Sequence, residues 1–402
     1  MLSVMIFSTR STRMKYSNNP YYVQKLYVVF FFLFSFFSAI FYSYTKVNNL
    51  FHLSAIFFVI TLYFDKDFRL TFFRSNEIRR GLGLTAAMLL YFSFSNLWSN
   101  DPANIESTLT HSVYLLIYLA MLISILNGNQ RNLLFTFVIL GLASLCLFSI
   151  TFDYHDILIS RQVSKSNPGP ENVIDLAGLA GIGVILSLII FREKKSRMIL
   201  LTIPIFLGTM LLTQSRGPVL SLLIAMLVVL PYKHLRLKHV ACFFIALIAI
   251  GITIISSEIG QLVLARFEEI HVQSFLRFSI WLHTFDLVSQ APYFGYGFNS
   301  ELAFTNYSGE NITTTHSLYL GSLLKGGLVG LGMLFAVLGY GCILTLRRRH
   351  NGMRLEAALF IFMLLFYTSQ GMFIVGNPSE SWYLFWFPLG VIMSTRLKSH
   401  LP

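Results

Sequence analysis

What most constrains this chain is a succession of apolar runs, each close to the length of a bilayer crossing, separated mostly by short polar loops. A bilayer core takes ~20 apolar residues per helix. Runs of that kind lie near 26–44, 48–64, 82–98, 110–127, 133–152, 174–191, 198–213, 218–231, 239–257, 316–346, 355–375 and 382–395. The expected fold is therefore all-α: a polytopic integral membrane protein of about 12 transmembrane helices, forming one transmembrane domain over 1–402. Of the 402 residues only 12% are charged, about half the share of a soluble domain. Arg10, Arg13 and Lys15 precede the first run, which has no small-residue cleavage site, so that run reads as a retained span rather than a signal peptide.

Loop charge tests the count. In the twelve-span arrangement 23 of the 30 Lys and Arg fall on the side of the termini, against 5 of the 18 Asp and Glu. Basic residues concentrate in cytoplasmic loops, which places both termini in the cytoplasm. Removing one span would put Arg347, Arg348 and Arg349 outside. The net charge of +12 is spread over many short loops, so it reads as membrane orientation and not as nucleic-acid binding.

Two outward segments are longer. One, 153–173, contains the turn Ser-Asn-Pro-Gly-Pro at 166–170. The other, 257–315, is too long to be structureless and reads as a large periplasmic loop. Over Glu258–Gln290 it carries Leu262, Val263, Phe267, Ile270, Phe275, Phe278, Leu282 and Phe285 at helical spacing. This predicts amphipathic helices lying across the bundle, ended by Pro292 and the Gly295-Tyr-Gly297 turn.

Three outward residues are candidates for chemistry. His316 follows Thr313–Thr315, where a polar loop becomes a glycine-rich apolar run. Any of these threonines could cap the helix, and an imidazole in its first turn would be held neutral by the helix dipole. A neutral imidazole can take a proton from an attacking hydroxyl; a merely capping histidine is the alternative. Arg216, in Thr-Gln-Ser-Arg-Gly-Pro, is a cation between two apolar runs, where Gly217 and Pro218 are expected to break the helix and hold it on a tight turn. It either snorkels or offers its planar fork of donors to phosphate oxygens. Arg277 precedes Trp281 by one helical turn; it either stacks on that ring, pairs with Asp286, Glu268 or Glu269, or serves a ligand. Weaker candidates are Arg161 and Lys165, which with Glu171 and Asp175 flank the 166–170 turn and read as a solvated loop. Lys325 lies inside a span and should snorkel or pair with Glu380 or Asp175. Gly321, Gly326, Gly327, Gly330 and Gly332 read as close helix packing. Cys146, Cys242 and Cys342 read as small buried hydrophobes, and His52, His111, His155 and His283 lack ligand spacing, so no metal site is expected.

Taken in order, several of these features resemble the O-antigen ligase family. They are Ser-Arg-Gly-Pro at 215–218, Arg277 with Trp281, Ala-Pro-Tyr-Phe-Gly-Tyr-Gly at 291–297, and His316-Ser317 followed after nine residues by Gly327-x-x-Gly330. The resemblance covers roughly 200–345; the first 150 residues match only in hydropathy. It implies an inner-membrane glycosyltransferase that needs no metal or other cofactor and inverts the glycosyl bond. The donor would be O-antigen on undecaprenyl diphosphate and the acceptor a sugar hydroxyl of lipid A–core, joined at the periplasmic face. The family's essential histidine maps to His316 and its essential arginines to Arg216 and Arg277, the latter two holding the diphosphate. The alternatives are an O-antigen polymerase or protein O-oligosaccharyltransferase of the same superfamily, and, in another class, a transporter for the lipid-linked sugar.

Overall fold

The computed structural model describes residues 19–42, 44–230, 270–306, 309, 311–371 and 373–394. The expected span at 239–257, Cys242, and the 258–269 part of the outward loop lie outside them. The described chain is a helical bundle with one two-stranded ladder, Phe304–Thr305 against Asn311–Ile312. Among the described residues, five helical segments are long and apolar enough to cross a membrane: Thr45–Phe64, Pro102–Asn127, Arg131–Phe152, Val173–Lys194 and Leu318–His350. Four shorter apolar helices accompany them.

In chain order the helices are α1 (Asn19–Phe37), α2 (Asn48–Phe64), α3 (Lys66–Phe73), α4 (Asn76–Phe94), α5 (Ile105–Asn127), α6 (Arg131–Phe152) and α7 (Tyr154–Ser160). They continue with α8 (Val173–Lys194), α9 (Thr202–Leu212), α10 (Arg216–Val229), α11 (Ile270–Gln290), α12 (Leu318–His350), α13 (Arg354–Phe366) and α14 (Phe387–Met393). A π-helical turn, Trp382–Trp386, leads into α14. The run expected at 355–375 is helical only to Phe366, and the rest is irregular.

α8 is the central helix, packed by α6, α9, α10 and α13, and 89% of its apolar window is buried. Lipid tails are as apolar as leucine, so helices in a bilayer associate through close packing and polar contacts. Here the rings of Phe366 and Phe362 lie against Gly178 and Gly181, where any side chain would collide with them. Cys146 is buried within α6, but Cys342 is exposed on α12 rather than buried as expected.

Contacts between helix ends fall into two groups. Arg131, Arg192, Glu193 and Glu356 meet at one end: Arg192 lies 2.6 Å from Glu356, Arg131 bonds the same carboxylate, and Glu193 is 3.3 Å from both guanidiniums. Glu77 there pairs with Arg347 and Arg348 at 2.9 and 2.8 Å. The opposite ends meet through other contacts, including Asn104 to Asn299 (2.7 Å), Trp98 to the Phe294 carbonyl (3.2 Å) and Gln214 to the Leu158 carbonyl (2.9 Å).

α12 is broken. Gly327 has φ 60° and ψ −161°, outside the helical region, and the peptide groups around it lose their helical partners. The turn after α11 replaces them. Leu328 and Val329 donate their N–H groups to the Pro292 and Tyr293 carbonyls, at 2.8 and 3.1 Å. Tyr296 and Gly297 donate theirs to the Leu324 and Lys325 carbonyls, at 3.0 and 2.8 Å. Gly295, also at positive φ, sits backbone to backbone against Gly327, and a Cβ there would come within 2.5 Å of the Gly327 nitrogen. Of the glycines expected to mediate helix packing, Gly326 and Gly330 do so against Tyr91 and Phe92. Gly327 instead makes the break, and Gly332 has open space around it. From Leu328 to His350, 23 residues remain, about 34 Å at ~1.5 Å each, enough to cross a ~30 Å core. The part beyond the break is therefore long enough to cross by itself, without 318–326.

α11 is turned differently from its apolar spacing. Phe275, Phe278, Leu282 and Phe285 were expected to face the bundle, yet all four are exposed. Ile280, Thr284 and Val288 are buried instead. Trp281, on the same inward side, donates a hydrogen bond to the bundle, which the apolar pattern alone could not reveal.

Candidate active site

Three chain segments far apart in sequence meet at the end of the bundle opposite the Glu356 cluster. The first comes from the turn between α9 and α10. Gln214 adopts φ 51° and anchors its amide on the Leu158 carbonyl; Ser215 is the N-cap, and Arg216 opens α10. Gly217 and Pro218 thus begin the helix rather than break it, since a proline in the first turn has no intrahelical donor to lose. The tight turn expected at Arg216 is made two residues earlier, at Gln214.

α11 supplies the second segment, with Arg277 and Trp281 one turn apart. Trp281 donates its indole N–H to the Thr315 carbonyl at 3.2 Å, immediately before His316. The third segment is the entry to α12. His316 has φ 50°, a left-handed conformation that is uncommon for non-glycine residues and concentrates at functional sites. Ser317 is the N-cap and the helix begins only at Leu318, so His316 precedes the first turn instead of lying in it. Thr315 bonds the Ser317 carbonyl at 2.7 Å and makes no helix cap. Behind His316 lies Gly371, where a Cβ would sit 2.6 Å from the His316 nitrogen.

Arg277 is the electrostatic link. It is half-buried, and both burial and the charge of Arg216 make protonation of its guanidinium less favourable. His316 is also half-buried; burial first, and Arg277 second, hold its imidazole below the ordinary histidine range. The neutral form anticipated from the sequence is thus favoured, but by burial and a neighbouring cation rather than by a helix dipole.

The weaker candidates fall elsewhere. Lys325 pairs with neither Glu380 nor Asp175. Its ammonium donates to the Phe298 and Ser300 carbonyls, the latter at 2.8 Å, and lies over the rings of Phe298 and Phe373. Asp175 accepts instead from Gln370. The 166–170 turn is no solvated loop: residues 167–170 are buried, with Asn167 held by the buried Asp153. Arg161 is half-buried in a left-handed conformation, and Lys165 is exposed.

The 367–371 stretch was not anticipated. It backs the site through Gly371, through the Tyr367 carbonyl accepting from the Leu318 N–H (3.2 Å), and through Ser369 beside Gly217. Its sequence signal, Ser-Gln-Gly interrupting an apolar run, was present but read as span interior. Close by, Glu380 is half-buried, and burial together with Glu171 raises its carboxyl above the ordinary range.

A multi-pass helical membrane protein with an imidazole and two guanidiniums gathered at one end of its helices is the class these observations define. Within it, residues 201–335 match the family model described as O-antigen ligase, so the chain carries an O-antigen ligase family region. A protein named O-antigen ligase from Pseudomonas aeruginosa (strain PAO1) is 23% identical over 213 residues, covering 51% of this chain and 50% of that protein. The chain thus spans about half the length of this curated relative.

Proposed function

We propose that the protein is an O-antigen ligase that transfers O-antigen polysaccharide from undecaprenyl diphosphate to a sugar hydroxyl of lipid A–core. The reaction takes place at the periplasmic face of the inner membrane, with both termini in the cytoplasm. The observation that carries this reading is the convergence of Arg216, Arg277 and His316 from three separate segments, with the charge of Arg216 acting on Arg277 and that of Arg277 on His316.

The chemistry follows from those groups. The acceptor oxygen attacks the anomeric carbon while the bond from that carbon to the diphosphate oxygen breaks, and its electron pair leaves with the lipid diphosphate. Two guanidiniums stabilise the charge that grows there; arranged donors of this kind act most strongly where water is excluded. A neutral His316 takes the hydroxyl proton. Displacement from the opposite face inverts the anomeric centre. The lipid tail stays in the bilayer while both glycans remain in water, which requires a site at a membrane boundary. The break in α12 favours this reading over the transporter alternative, since it leaves 23 residues, 328–350, long enough to cross unbroken, whereas transporter sites are built on helices broken near the midplane.

In cells whose own copy is deleted, the wild-type chain should restore polymeric glycan on lipopolysaccharide, and His316→Ala at equal expression should not. Accumulated long undecaprenyl-linked chains with bare core identify a ligase. Core bearing a single repeat would instead identify a polymerase, and wild-type ladders from His316→Ala would remove His316 from the chemistry.

A further inference from the structure

The break at Gly327 separates 318–326 from the membrane-crossing part of α12, so the direction of this short segment is not inherited from the long rod behind it. Something else must set it, and with it the placement of His316. Tyr319 bonds the Leu364 carbonyl and Tyr91 the Gly326 carbonyl, at 2.7 and 2.6 Å, which holds the segment to α13 and α4. Two further side chains, one near each end, tie it to α11 and the turn that follows. We infer that Trp281 and Lys325 are positioning residues that together fix the register of α11 on the outer segment of α12, and so the approach of Arg277 to His316.

Trp281 lies one turn beyond Arg277 on α11, and its indole N–H bonds the Thr315 carbonyl at 3.2 Å. Its bond therefore joins the Arg277 helix to the peptide next to His316. Lys325 works from the other end. Its ammonium bonds the Phe298 and Ser300 carbonyls of the chain that returns from α11, and lies 5.6 and 5.4 Å from the ring centres of Phe298 and Phe373. Those two rings meet edge to face at 5.3 Å. Phe373 is two residues past Gly371, which backs His316. Lys325 thus gathers α12, the turn after α11 and the 367–373 stretch at one point. An ammonium away from water needs such acceptors, and without it two carbonyls would lose their donor.

The inference rests on the reading of Arg277 and His316 as partners in one site, but its test needs no substrate. The protein is labelled with ¹⁵N-histidine and placed in nanodiscs, and the His316 signal is identified by its loss in His316→Ala. Wild-type His316 should titrate below the ordinary imidazole value of ~6.5. Trp281→Phe removes the N–H and keeps an aromatic ring, and its midpoint should move up as Arg277 withdraws. Lys325→Met should move it the same way, and Lys325→Arg, which keeps a donor, should restore part of the shift. Glycan transfer should fall about tenfold in Trp281→Phe, less than the ~100-fold that a 1 Å displacement can cause. An unchanged midpoint in folded Trp281→Phe overturns the inference, whatever Lys325→Met does. If wild-type protein transfers no glycan and yet the midpoint moves in Trp281→Phe, the ligase reading fails while the positioning role stands.

Discussion

The two ends of the bundle handle buried charge in opposite ways. At one end Arg131 and Arg192 share the Glu356 carboxylate, with Glu193 beside both and Glu77 serving Arg347 and Arg348 nearby. Cations there are met by anions of the chain, and helices α6, α8 and α13 are fastened together. At the other end Arg277 is brought near Arg216, whose charge opposes its own, and His316 is placed where a proton is disfavoured. Left-handed backbone occurs at both ends, at Gln214 and His316 here and at Lys195 beside the Glu193 cluster. A fold gains no stability from setting two guanidiniums close to each other. The contrast is between cations shared with carboxylates at one end and two neighbouring guanidiniums beside an imidazole at the other, the arrangement the proposed reaction uses.

If that division is right, substitutions at the two ends should fail in different assays. The largest effect belongs to Glu356→Gln, which leaves two guanidiniums facing a neutral amide. Removing one member of a buried ion pair typically destabilises by about 3–5 kcal/mol, and thermal unfolding in nanodiscs should show a loss of that order. A variant as stable as wild type would mean the cluster is not what joins these helices. Arg277→Gln should do the reverse. Transfer should fall ~100-fold or more, the scale for losing one donor to a developing oxyanion, with the unfolding temperature unchanged or slightly higher. A stability loss matching that of Glu356→Gln would erase the distinction. Gly327→Ala probes the splice between the two regions. Its Cβ would run into the Tyr293 backbone and it would need a positive φ, so about 1–3 kcal/mol of strain is expected, again measured by thermal unfolding.

How legible each end was in the sequence follows from what fixed it. Loop charges are set by membrane topology, so the loops bearing Arg131, Glu356 and Glu77 could be assigned to one side from composition alone. Arg216, Arg277 and His316 could be singled out because isolated polar residues stand out from apolar surroundings. The geometry between them was hidden, because it depends on partners that leave no periodic mark. The break at Gly327 is sealed by backbone groups some thirty residues upstream, and backbone hydrogen bonds carry no residue signature. Lys325 was given carboxylate partners because charge suggests charge, whereas carbonyl oxygens of an adjacent turn receive it. α11 was read from its apolar spacing, but both its faces are apolar, and the inward one was decided by Ile280, Thr284 and the bond from Trp281. Gly371 looked like part of a span because nothing local shows that the His316 backbone lies against it.

The finest test of the contrast lies in the pH dependence of transfer. A base must be unprotonated, and the His316 pKa is lowered, so activity should persist below the ordinary imidazole range and disappear as pH falls through the depressed value. Two causes act, burial and the Arg277 charge, and they can be separated. Arg277→Gln removes the second and leaves the first, so the acid limb of its residual activity should move up but stop short of ~6.5, the unperturbed value. Glu356→Gln, at the far end, should leave the limb where it is. If the limb were set by the α12 dipole, Arg277→Gln would not move it. His316 lies before Ser317 in a left-handed conformation, outside the first helical turn where that dipole acts, so a shift in Arg277→Gln alone is the expected result.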